Sequence, residues 1–132
     1  MKAKSKEDRI AFRMRRATDT LKEIETLIEE EFLHTSANRI YYASFYAVKS
    51  LLITIDEETK THAGARSLFA KHFIQSGIIE PQYYRFYSEI FDYRHEVDYD
   101  EIVDLDLEKI KSLYKEAKLL VSRVEKYLSE KK

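Results

Sequence analysis

Two glycines and a single proline among 132 residues leave this chain with few of the residues that sharp turns require. Folds made of many short strands need such residues about every 8–12 positions, because left-handed and fixed-φ corners are costly for other side chains. A chain poor in them, and rich in Leu, Ile, Ala, Glu and Lys, favours long helices with short connections. The expected fold class is therefore all-α: an up-and-down four-helix bundle with one additional short helix. The length suits a single domain, 1–132, with one core of its own.

Apolar spacing divides the chain into five helical segments. Ile10, Met14, Ala17, Leu21, Ile24 and Ile28 recur at steps of three and four and predict a first helix from about residue 5 to residue 32. His34, Thr35 and Ser36 offer cap-type side chains before a second helix that carries Ile40, Ala43, Ala47 and Leu51 to about residue 55. Apolar on more than one face, this helix is expected at the centre. After a polar connection, Asp56 to Lys60, Thr61 can cap a third helix with Ala65, Leu68, Phe69, His72 and Phe73, and Gly77 ends it as a left-handed residue. Glu80-Pro81 opens a fourth, since proline is tolerated in a first turn and not later. Asp104 or Asp106 can cap the fifth, whose stripe runs from Leu107 through Ile110, Leu113, Ala117, Leu120, Val121 and Val124 to Leu128.

Charge is close to balanced, with a formal net of -1, but it is unevenly spread. Lys2, Lys4, Lys6, Arg9, Arg13, Arg15 and Arg16 face only Glu7 and Asp8 in the first half of helix one, while the second half is acidic. Glu96, Asp98, Asp100, Glu101, Asp104, Asp106 and Glu108 then form a run free of Lys and Arg. Such patches suit a partner or a second copy, or simply solvated faces. The absence of cysteine excludes disulfides, thiol catalysis and Cys-based metal sites, and fits a reducing cytoplasm. Neither a signal peptide nor a transmembrane span is expected.

The clearest candidate site closes the fourth helix, where Tyr84, Tyr87, Phe91, Arg94 and Asp98 share one face. An acid near a helix C-terminus opposes the macrodipole, and a cation placed before an acid at i,i+4 is the weaker orientation. Local helix physics would not select this pair, which suggests a functional origin. On the second helix Asn38, Tyr42 and Phe45 or Tyr46 align, and Asn38 can face Arg94. His62, at the start of the third helix, can touch phosphate or act as an acid. His34, His72 and His95 show no ligand spacing and no matching carboxylate in sequence, so no metal and no cofactor is expected. No Gly-rich phosphate loop is present, which excludes an NTPase.

Three stretches together resemble HEPN domains: Asn38-Arg39-Ile40-Tyr41-Tyr42-Ala43-Ser44-Phe45-Tyr46-Ala47, then Lys60-Thr61-His62, then Arg94 to Tyr99. More narrowly they resemble the small stand-alone branch whose last motif reads Arg, three residues, Asp-Tyr. The resemblance implies a helical bundle that pairs as a homodimer. It also implies a toxin-like role, metal-independent RNA cleavage at a site shared by two copies, and a nucleotidyltransferase acting as antitoxin. It assigns Arg94 as the motif arginine and places Tyr99 near a tyrosine that such a partner modifies. The histidine expected four to six residues after the arginine is replaced by Asp98, Tyr99 or Asp100. Catalysis by Arg94 and Asp98, with Asn38, Tyr42, His62 and Tyr99 as RNA or nucleotide contacts, is one reading. A non-catalytic nucleotide-binding or substrate-presenting module, or a structural dimeric interaction protein, are the alternatives.

Overall fold

The computed structural model describes residues 5–99 and 105–131. Lys2, Lys4, Asp100, Glu101 and Asp104 lie outside the described residues, as does the Asp104 cap. The described residues form five α-helices: α1 Lys6–Glu29, α2 Leu33–Thr54, α3 His62–Phe69, α4 Pro81–Tyr99 and α5 Leu107–Glu130. A π-helical turn, Ala70–Ile74, continues α3.

Helix α1 starts at a capping box, in which Asp8 N–H donates to Ser5 Oγ at 3.1 Å and Ser5 N–H to Asp8 Oδ2 at 3.4 Å. It ends at Glu29, short of the expected residue 32. Glu31 takes a left-handed φ of 58°, and two backbone bonds, Glu31 N–H to Ile28 O and Phe32 N–H to Leu27 O, close a Schellman motif. The same device ends α2, with Asp56 at φ 58° and bonds to Ile53 and Leu52 carbonyls. Both reversals use acidic residues where glycine is usual, so neither carries a glycine signal.

The first reversal also displaces the expected cap of α2. The helix begins at Leu33 with no side-chain cap, and Ser36 donates instead to Phe32 O at 2.7 Å within the first turn. The other termini agree with the sequence reading. Thr61 Oγ1 accepts from Gly64 N–H at 2.9 Å, Pro81 is the first residue of α4, and Asp106 Oδ1 accepts from Glu108 N–H at 3.0 Å. Gly77 is left-handed at φ 83°.

Helix α2 touches all four others, and α1 and α4 occupy opposite corners with no contact between them. This is the four-helix bundle expected, with α3 as the accessory helix. A central position demands burial on several faces, and α2 meets it with Ala37, Ile40, Tyr41, Ala43, Ala47, Val48, Leu51 and Leu52, all fully buried. Its alanines let neighbouring helices approach closely. Its buried serines satisfy themselves: Ser44 donates to Ile40 O at 2.9 Å and Ser50 to Ala47 O at 2.6 Å. Phe69 and Phe73 fill the space under α3 against Tyr84, Tyr87 and Tyr127, at ring separations of 5.7–6.3 Å. That packing holds the last turn of α3 on α4 and α5, while His62 in its first turn meets α2 through the rings of Tyr41, Tyr42 and Phe45.

Candidate functional site

Tyr41 is the hub of the site. Its fully buried ring lies within 5.2–6.2 Å of Tyr42, Phe45, His62, Tyr87 and Phe91, so α2, α3 and α4 converge on one aromatic layer. Over this layer α4 lays Arg94, with Cζ 4.6 Å from the Tyr41 centroid and 5.9 Å from that of Tyr42. A guanidinium suits such a place because it is planar and weakly hydrated, and an ammonium would not stack equally well.

Arg94 Nη1 donates to Asp98 Oδ2 at 3.2 Å, closing the i,i+4 pair. The other oxygen, Asp98 Oδ1, lies 3.1 Å from His34 Nε2 on the first turn of α2. The three form a chain graded from inside to outside, with side chains 13 %, 21 % and 60 % exposed for Arg94, Asp98 and His34. Arg94 Nε is buried with no protein partner among the described residues. The pair is thus neither sealed in the core nor spread along an open cleft, and only its histidine end reaches solvent freely.

The Tyr41 hydroxyl is hydrogen-bonded to His62 Nδ1. Burial pushes the Tyr41 phenol up to about 12, against the pull of nearby Arg94, so it keeps its proton. His62 is pushed down, first by burial and then by the charges of Arg94 and Lys49. A neutral imidazole facing a protonated phenol accepts at Nδ1 and carries its own proton on Nε2. His62 therefore presents a neutral N–H donor rather than a cation.

The structure brings together Arg94, Asp98, Tyr42 and His62 around Tyr41, and leaves two expected members aside. Asn38 Oδ1 accepts from Arg39 Nε and Nη2 at 3.1 and 2.9 Å, so it serves the neighbouring arginine instead of Arg94. Tyr99 is 73 % exposed and packs on His95, ring centroids 4.8 Å apart, on another face of α4. Sequence spacing missed two members. Tyr41 was passed over for Tyr42 because the exposed-face alignment with Asn38 selects the latter, and the buried one proved to carry Arg94. His34 showed no carboxylate partner in sequence, but Asp98 is that partner in space. Similarly, His72 Nε2 lies 3.7 Å from Glu57.

Tyr87 is also pushed well above the usual phenol range by burial, then by Tyr41 beside it. Between pH 10 and 12 the unfolded chain has lost the Tyr41 and Tyr87 protons while the folded chain retains them, so stability falls as pH rises through that window. A spectrophotometric titration is expected to show these two phenols ionising last, together with unfolding. Ionisation of all ten tyrosines in one step near pH 10, with the fold intact, would contradict this burial.

Residues 10–127 match the HEPN domain family. A UPF0332 protein of Thermotoga maritima is 32% identical over 127 residues, covering 96% of each chain. Two proteins of Methanocaldococcus jannaschii are similar to the same degree. "Putative toxin MJ0142" is 32% identical over 116 residues, 88% of this chain and 79% of that one. "Putative toxin MJ0605" is 32% identical over 114 residues, 86% and 84% of the two. Among the described residues no helix is long and apolar enough to cross a membrane. With an all-helical bundle whose central helix carries the Tyr41 layer, and a family match spanning nearly its whole length, this chain belongs to the HEPN domain family.

Proposed function

We propose that this chain is a toxin-type protein that cleaves single-stranded RNA without a metal. In this reading it acts in the cytoplasm as a homodimer that brings two copies of the Arg94 site together, with a nucleotidyltransferase as antitoxin. The toxin names of two relatives support the class of function. The observation that carries the chemistry is the Arg94–Asp98–His34 chain, because it offers a base for the attacking hydroxyl and a cation for the phosphate without a metal.

In that reaction the ribose 2′-OH attacks the adjacent phosphorus. The new O–P bond forms as the P–O5′ bond breaks, leaving a 2′,3′-cyclic phosphate and a 5′-hydroxyl. His34 takes the 2′ proton, and the departing 5′ oxygen gains one from water, whose hydroxide then takes the proton from His34 and returns it to the neutral base. Asp98 orients His34 and stabilises the imidazolium that forms. Arg94 holds the phosphate oxygens as charge builds on them. The histidine is thus recovered from α2 in place of one downstream of the arginine.

The test is incubation of the purified protein with single-stranded RNA in EDTA, beside three variants. Arg94→Ala is expected to be nearly inactive. His34→Ala is expected to lose about 10²-fold in rate, the scale of one proton-transfer group. His34→Gln, which keeps a hydrogen bond to Asp98 but carries no proton between atoms, should be no better. A His34→Gln variant with full activity would remove His34 from the chemistry.

A second reading, nucleotide binding or substrate presentation without cleavage, is favoured by one observation. Asp98 already neutralises Arg94, which lessens the charge available to a phosphorane. Calorimetric titration with nucleotides separates the two: binding at millimolar concentration without turnover supports this second reading, and no binding excludes it.

A further inference from the structure

A band of alternating cations and aromatic rings runs along the groove between α1 and α2. On α1, Arg9, Arg13 and Arg16 share a face at offsets of four and seven; on α2, Arg39, Tyr42, Tyr46 and Lys49 do so at three, seven and ten. The two rows interleave. Arg16 lies 5.0 Å from the Tyr46 ring centroid and donates to its hydroxyl at 2.9 Å, Arg39 lies 5.0 Å over Tyr42, and Lys49 Nζ lies 5.9 Å from Phe45.

The band ends in a cleft of about 310 Å³ between α1 and the α2–α3 connection, lined by Arg9, Phe12, Arg13, Lys49, Lys60 and the acids Glu57 and Glu58 among others. Its two carboxylates are already paired, Glu58 with Arg9 on the cleft wall at 2.9 Å and Glu57 beside His72. Four cations against two carboxylates leave the lining crowded with net positive charge, in which Lys49 Nζ donates to Thr59 O at 3.2 Å. Lys49 is pushed down by burial and then by Arg13, the direction such crowding requires. A bound anion relieves it. Phe12, half exposed on the cleft wall, offers a flat apolar face beside that charge.

At its other end the band reaches Arg94, which shares the Tyr42 ring with Arg39. A positive groove punctuated by stacking rings is the arrangement that holds a single strand by its phosphates and base faces, without regard to sequence. We propose that the α1–α2 band is a track for single-stranded RNA, with a backbone phosphate seated in the Arg13–Lys49–Lys60 cleft and bases stacked along it toward Arg94. This inference rests on the reading of Arg94 as the residue that handles the scissile phosphate.

Fluorescence anisotropy of a labelled oligouridylate with the full chain tests it. The Arg13→Ala/Lys49→Ala double variant is expected to raise the Kd at least tenfold and to flatten its salt dependence. Lys49→Arg alone should bind as the parent does, and so should Lys111→Ala/Lys115→Ala, which removes two charges from the outer face of α5. Equal binding by the parent and the Arg13/Lys49 variant would overturn the track, as would an equal loss in the α5 control. Displacement by uridine monophosphate at the same concentration as by the oligonucleotide would make the cleft a mononucleotide pocket and also overturn it. Failure here is distinct from failure of the proposed function. If the parent never cleaves yet loses binding in the double variant, the track stands and the cleavage reading falls.

Discussion

Replacing Arg94 by alanine is expected to slow metal-independent RNA cleavage by about 10²–10³-fold, the loss typical of removing one donor aimed at developing oxyanion charge. The magnitude follows from where the guanidinium sits. It is held between the Tyr41 ring and Asp98 with its side chain only 13 % exposed, so its charge acts in a medium less screening than water. Arg94→Lys keeps the charge but loses the planar fork and the stacking, and should fall between parent and alanine. Unfolding by urea provides the control for structure, because Arg94→Ala leaves Asp98 its His34 partner and the fold should persist. EDTA-resistant cleavage that is unchanged in Arg94→Ala would sink the proposed function.

The largest effect on stability is expected at Phe69. This ring is fully buried at the junction of α3 with the π-helical turn, within 6.5 Å of Phe73, 6.3 Å of Tyr84 and 5.7 Å of Tyr87. Phe69→Ala removes its transfer energy and leaves a cavity among rigid rings that collapse poorly, a cost of about 3–5 kcal/mol. Urea denaturation should show a lower midpoint with an unchanged slope. Leu119→Ala, on a residue 54 % exposed, should stay within about 0.5 kcal/mol of the parent. A Phe69→Ala loss below about 1 kcal/mol would show that this layer is not packed as described.

Several termini were legible from residue chemistry alone. Thr61, Pro81 and Asp106 each act within one turn of themselves, so their effect is already present in local sequence. The two reversals at Glu31 and Asp56 were not, because a left-handed residue other than glycine is held there by the helices on either side. The site divides in the same way. Arg94 and Asp98 were visible as a pair on one helix face, and the HEPN resemblance reached the family that the comparison found. Asn38 was expected to face Arg94, but a direct neighbour, Arg39, takes its oxygen at lower conformational cost than a residue on another helix.

By itself the sequence determined the class of fold, since scarcity of turn residues and apolar stripes of helical period leave few solutions other than a bundle. It also determined which helix would be central, because only α2 is apolar on enough sides to be surrounded. Only the tertiary structure decided that His34, 64 positions before Asp98, completes the Arg94 pair, and that the buried Tyr41 rather than Tyr42 carries the guanidinium most closely. The physical reason is one of range. Caps and stripes are set by neighbours three or four residues apart, whereas the Arg94 site forms where the packing of α2, α3 and α4 sets their relative rotation, and no period along the chain records that rotation.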